Sequence, residues 1–194
     1  QVGVAALAVA TGAVVTGLTG VLDYTPRAYT LLPDGPPATV TPGVAAAVAV
    51  RPAGADEFTL GELNAQRFFD TVDDGGTSDV ALTSAAYQLR LGKLSAALRD
   101  VLRSPDIIGL VEIEKLTVLQ DIAARVNTDA VAAGQPNPGY QPFLVEGLDP
   151  AGIDIGFLVK TARVTVVSVT QLGLAATYIN PDTGVPATLF ERPP

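Results

Sequence analysis

Glu112 stands at the carboxyl end of an almost wholly apolar run, Ile107-Ile108-Gly109-Leu110-Val111. A carboxylate in such a place is costly unless it is paired or holds a cation. Its oxygens are hard ligands of the kind that suit Mg2+ or Mn2+. An ion held there stabilises charge developing on a phosphoryl oxygen and lowers the pKa of an attacking water. The competing reading is a structural bridge from Glu112 to an Arg or Lys. Asn64 follows a second strand-like run, Phe58-Thr59-Leu60-Gly61-Glu62-Leu63. Its amide offers both donors and an acceptor, or closes the strand into a turn. Glu114, two residues past Glu112, shares its face in a continuing strand. Asp73-Asp74-Gly75-Gly76 looks like a cation loop, but it lacks the ligand spacing of a calcium hand and reads as a solvated turn.

The residue types that are missing narrow the chemistry further. The chain has no His and no Cys. That excludes a Ser-His-Asp triad, a His general base, His-ligated zinc, a thiolate nucleophile and a disulfide framework within these 194 residues. A phosphoryl-transfer site built from this chain draws on carboxylates, amides, Arg, Lys and Tyr. No Walker glycine loop and no dinucleotide fingerprint occurs. The formal net charge is −8, which works against a strong grip on duplex DNA, since phosphate-backbone binding is driven by Lys and Arg.

Elements must bring these residues together. The chain is 48% hydrophobic and 16% charged, enough apolar surface for a packed core rather than a disordered chain. Val2 to Gly20 is apolar, but no positive flank precedes it and Thr and Gly interrupt it, so it reads as strands rather than a targeting segment or membrane span. Val14 to Leu22 alternates as a strand, Asp23 to Arg27 turns, and Ala28 to Leu32 returns. Residues 1–36 form this β segment. Residues 37–55, with Pro37, Pro42, Pro52, Gly43 and Gly54, read as a linker. From Phe58 onward strands and helices alternate. Ala86 to Arg103 is an amphipathic helix, with Tyr87, Leu91, Leu94, Leu98 and Val101 on its stripe and Arg90, Lys93 and Arg99 off it. Asp106 to Val111 is a buried strand. Leu116 to Asn127 is a second helix. Ile153 to Val159 and Val164 to Val169 read as a strand hairpin, and Thr188 to Glu191 begins a last strand. The fold class is α+β.

Four segments in order carry a resemblance. Leu63-Asn64-Ala65-Gln66-Arg67-Phe68-Phe69-Asp70 and Pro105-Asp106-Ile107-Ile108-Gly109-Leu110-Val111-Glu112-Ile113-Glu114 resemble the opening motifs of the endonuclease/exonuclease/phosphatase superfamily. Gly152-Ile153-Asp154-Ile155-Gly156-Phe157-Leu158 and Phe190-Glu191-Arg192-Pro193-Pro194 resemble two later strands of its secreted bacterial nuclease branch. The resemblance covers residues 56–194 and implies the N-terminal part of the catalytic domain, half of a four-layer α/β/β/α sandwich. The β segment resembles the last strands of the small OB-like barrel that precedes the catalytic domain in some large secreted nucleases. An N-terminal hairpin of the following domain is the other reading.

The resemblance implies roles. Glu112 becomes the ligand of Mg2+ (or Mn2+ or Ca2+). Asn64 orients a catalytic neighbour or the metal's water. Asp154 orients a catalytic His that this chain does not contain, and Arg192 clamps a phosphate with its planar donor fork. The implied activity is hydrolysis of DNA or RNA phosphodiester bonds by a secreted, extracellular or periplasmic nuclease. A phosphatase or phospholipid phosphodiesterase of the same superfamily is an alternative, and so is a non-catalytic β-rich binding or adhesion module. The family's acid–base His and Asp-x-Asn motif are not in this chain, so the 194 residues alone are expected to be inactive. A lone half sandwich also leaves one apolar sheet face uncovered.

Overall fold

A computed structural model describes residues 9, 11–24, 29–36, 39–43, 47–75, 80–149 and 152–189. The chain divides into two compact units, Gln1–Ala47 and Val48–Pro194.

The first unit is built of short antiparallel pairs. Strand β1 (Val14–Thr16) pairs with β4 (Thr39–Thr41), and β2 (Gly20–Tyr24) pairs with β3 (Tyr29–Pro33). The run from Val14 to Leu22 is therefore two strands rather than one. Gly17, at a φ of 66°, turns the chain between them, a conformation that costs glycine little. The stretch read as a linker holds β4, a three-residue strand with a single partner, which neighbouring prolines permit.

In the second unit, one sheet carries the architecture, in the order β5-β6-β8-β7. Its strands are β5 (Leu60–Phe68), β6 (Ile107–Ile113), β7 (Tyr140–Leu144) and β8 (Asp154–Lys160). β5 and β6 are parallel, joined by helix α1 (Ser84–Ala96), while β8 lies antiparallel to both β6 and β7. The Thr83 hydroxyl caps α1 by accepting from the Ala86 amide at 3.3 Å. The helix widens into a π-helical turn at Ala97–Val101 and ends at Arg103 and Ser104, both left-handed. Helix α2 (Leu116–Ala132) runs five residues beyond its expected end at Asn127, because Thr128 to Ala132 offers no breaker before Gly134.

The helices cover one face of the sheet. Leu98, Ile108, Leu110, Leu119, Val126 and Leu158 are fully or almost fully buried in one cluster. Gly156 is a glycine for a reason of space: a Cβ there would sit 2.6 Å from Leu119 Cδ2 of α2. Among the described residues the other face is only partly covered, with residues 164–170 running beside Leu60, Ile107 and Phe157. Leu60 is 71% exposed and Phe157 41% exposed, and they border a cleft with Ile107, Val111 and Ile155.

The second hairpin differs from the sequence reading. Val164 to Val169 forms no strand. Both edges of β8 are already taken, one by β6 and one by β7, so no edge remains for a partner from residues 164–169. The strand that does form the hairpin with β8 is β7, whose Pro142 and short length weaken its signal in the sequence. Strand β10 (Pro186–Thr188) pairs with β9 (Thr177–Ile179). It thus begins before the expected start at Thr188, and residues 190 and 191 of that expectation lie outside the described residues.

Candidate functional site

Regular pairing of β5 with β6 runs from Leu60↔Ile107 to Asn64↔Val111, breaks, and resumes at Phe68↔Ile113. The break inserts residues on both strands. Gln66 and Arg67 on β5 and Glu112 on β6 all take positive φ, at 57°, 54° and 65°. For non-glycine residues this conformation costs of order 1–3 kcal/mol each and persists only where surrounding contacts hold it. Asn64 therefore does not end β5, as the sequence reading had it, but opens a bulge within it. Bulges re-aim side chains, and here the re-aimed chain is Glu112.

The bulge brings Asn64 and Glu112 together. Asn64 Nδ2 donates to Glu112 Oε1 at 3.0 Å, and the Arg67 amide donates to Glu112 Oε2 at 2.9 Å. Asn64 Oδ1 accepts from the Gln66 amide at 2.6 Å. Both ends of the Asn64 amide are used, one to fold the bulge and one to hold the carboxylate. Glu112 is half-buried, and among the described residues it makes no ion pair. Among the described residues, what holds it is an amide and a backbone donor rather than a bridge to an Arg or Lys side chain. Each carboxylate oxygen keeps a further lone pair beyond its one donor.

Arg90 supports this arrangement from α1. Its guanidinium donates to the carbonyls of Ala65, Gln66 and Arg67 at 3.1, 2.7 and 3.0 Å. Three successive carbonyls turned toward one side chain are what the left-handed backbone of Gln66 and Arg67 produces. The guanidinium also lies 4.7 Å from the centre of the Phe68 ring. Its place off the apolar stripe of its helix marked Arg90 as polar, but not as the clamp on a loop more than 20 residues earlier.

A second polar cluster adjoins the first. The Glu114 carboxylate, 6% exposed, accepts from the Asp70 amide at 2.6 Å and lies 3.3 Å from Lys115 Nζ. Burial pushes its pKa up. Lys115 also pairs with Asp70 at 3.0 Å and with Asp74. Burial works against the ammonium, yet these hydrogen bonds hold its pKa above the ordinary lysine value. Asp73 closes its own turn by accepting from the Gly75 amide at 2.9 Å. Asp73-Asp74 therefore forms a turn with a lysine partner, and Gly76 lies outside the described residues.

Asp154 sits at the same end of the sheet, opposite Ile113 in register. It is 5% exposed and accepts from the Gly147 amide at 2.7 Å. Burial first, then the shared hydrogen bond and charge of Glu146, push its pKa up to about 7. No hydrogen bond joins it to Asn64 or Glu112 among the described residues. Arg192 lies outside the described residues. Among the described residues no group of three or more carboxylates gathers around a point that would hold a metal, and no helix is long and apolar enough to cross a membrane.

The arrangement delivers one oriented carboxylate at a strand end, steadied by an amide and a backbone donor. No protein-family model, curated protein or solved structure matches this chain.

Proposed function

We propose that the second unit is the sheet-and-helix half of an endonuclease/exonuclease/phosphatase-type domain that hydrolyses nucleic-acid phosphodiester bonds with metal-activated water. The observation that carries this reading is the 3.0 Å bond from Asn64 to a Glu112 carboxylate that makes no ion pair with a lysine or arginine side chain among the described residues. The partly exposed apolar face supports a four-layer sandwich, because Leu60, Ile107 and Phe157 line a surface that a second sheet would cover. The proposed setting is outside the cytoplasm, as in the secreted bacterial branch that the sequence resembles.

The residues present fit Mg2+ held weakly. That ion takes one or two carboxylates and completes its shell with waters and substrate phosphate oxygens. Glu112 supplies one carboxylate whose orientation is already set, and the carboxylates of Asp70, Asp74 and Glu114 are engaged by Lys115. When bound, the ion lowers the pKa of a water and neutralises charge on the phosphoryl oxygen. Asn64 steadies the ligand, and Arg90 steadies the loop that carries Asn64. With no His in the chain, the 194 residues alone hydrolyse no phosphodiester in this reading.

Mn2+ added to the isotopically labelled chain tests the reading. Paramagnetic broadening is expected first at the amides of Asn64, Arg67 and Glu112, and Glu112→Gln is expected to abolish it. Broadening centred elsewhere, or unchanged in that variant, rejects Glu112 as the ligand.

A further inference from the structure

Only 12 Lys and Arg occur in this acidic chain, and four of them line one concavity of about 360 Å³. They are Arg99, Arg103, Lys160 and Arg163. The concavity lies at the end of the sheet away from Glu112. Arg103 and Ser104 lead into β6, while Glu112 stands near its far end. At about 3.3 Å per residue that puts roughly 15–20 Å between the two places. The size falls in the range of small-molecule sites, about 300–1,000 Å³.

The charges do not cancel locally. Asp106 accepts from Arg163 Nε at 3.3 Å and lies 3.7 Å from Lys160 Nζ. Asp100 lies 3.3 Å from Arg99 Nη1, which also donates to Gln135 Oε1 at 2.9 Å. Asp129, nearby, pairs with Arg125 at 2.8 Å. Arg103 donates through Nε to the Val50 carbonyl at 2.7 Å and has no carboxylate within ion-pair distance among the described residues. Four cations thus face two carboxylates, in a chain whose overall charge is −8. The backbone is strained at the same spot: Arg103 and Ser104 hold φ of 56° and 49°. Such strain clusters where a side chain must be presented in one way. The turn is held by the Ser104 amide donating to the Leu98 carbonyl at 2.8 Å.

We propose that this concavity binds a small phosphorylated molecule, its phosphate dianion held by Arg103 and the flanking Arg163. Two positive charges in excess match a dianion. The arginine fork suits phosphate oxygens, and apart from the Nε bond to Val50 no carboxylate competes for Arg103 among the described residues. Pro136 and Pro138 supply an apolar wall for the organic part. A polymeric nucleic acid is a poor occupant, since the acidic remainder of the chain repels neighbouring phosphates. The site is independent of the Glu112 reading.

Calorimetric or NMR titration with adenosine monophosphate, inorganic phosphate and adenosine tests this. Adenosine monophosphate is expected to bind saturably, inorganic phosphate more weakly, and adenosine not at all. Equal affinity for inorganic phosphate would assign the free ion as ligand and leave the phosphate site standing. Arg103→Gln and Arg163→Gln, each checked for unchanged circular dichroism, are expected to weaken binding by about tenfold or more. Arg103→Lys, which keeps the charge but loses the fork, is expected to fall between. Glu112→Gln should leave binding unchanged. No saturation by any phosphorylated probe up to about 10 mM, equal binding of adenosine, or affinity untouched by both arginine variants overturns the proposal.

Discussion

Asn64 and Glu112, 48 residues apart in sequence, are joined by a 3.0 Å hydrogen bond across a double irregularity in β5 and β6. A single carboxylate predicts a weak cation site, because the stabilisation of a fold by a ligand depends on its concentration relative to its dissociation constant. Thermal melting should rise by only a degree or two in millimolar Mg2+ or Mn2+, and Glu112→Gln should remove that rise. The substitution itself should cost about 1–2 kcal/mol, since one of its two donors then meets an amide NH2. A large metal-dependent rise that survives Glu112→Gln would move the ion elsewhere and end the assignment.

Arg90 holds three consecutive carbonyls of the left-handed stretch. Arg90→Ala leaves these acceptors without their donor and should destabilise the second unit by about 2–3 kcal/mol. Hydrogen exchange at the Arg67 amide, which otherwise bonds Glu112, should accelerate more than exchange in α2. Arg90→Lys should recover part of the loss, because one ammonium does not reproduce the fork. Uniform acceleration across both would show that the clamp is not local.

Asp154 contributes a pH dependence of known sign. Its folded pKa, raised to about 7 by burial and by Glu146, exceeds that of an unfolded aspartate, about 3.9. Between these values the folded chain keeps a proton that the unfolded chain has lost. Its contribution to stability is complete at the acidic end of this window and is lost as pH rises through about 7. Melting temperature followed from pH 4.5 to 8 should therefore show a fall that Asp154→Asn flattens. A profile that the variant leaves unchanged would assign the fall to other groups.

Lys115 faces three carboxylates, of which Glu114 is the buried one. Lys115→Met should cost about 3 kcal/mol, because it strands buried negative charge. Adding Glu114→Gln should recover a good part of that cost, and a double-mutant cycle measures how much. Strictly additive losses would mean that Lys115 stabilises only through its pairs with Asp70 and Asp74.

Local signals in the chain were enough to place the two helices and the strands that become β5, β6 and β8. Apolar residues at helical spacing from Tyr87 to Val101, and the unbroken apolar run before Glu112, are properties of neighbouring residues that need no distant partner. They also mark Glu112 and Asn64, since a polar group after an apolar strand is conspicuous wherever the strand ends up. β7 carries only a weak local pattern, because it has five residues and Pro142 stands among them. Val164 to Val169 misled because β-branched residues satisfy a strand pattern whether or not an edge is free to pair with them.

Composition settled by itself which chemistry these 194 residues lack, because a chain without His or Cys has no imidazole base and no thiolate however it folds. Only the tertiary structure decided which polar groups meet. Glu112 turns toward Asn64 because parallel pairing of β5 with β6 breaks register just there. Arg90 reaches the same loop because α1 packs back over the strand it follows, and Asp154 stays apart with Glu146 because β8 enters on the far side of β6. Register, strand order and helix packing are set by contacts between residues tens of positions apart, and no local pattern encodes those distances.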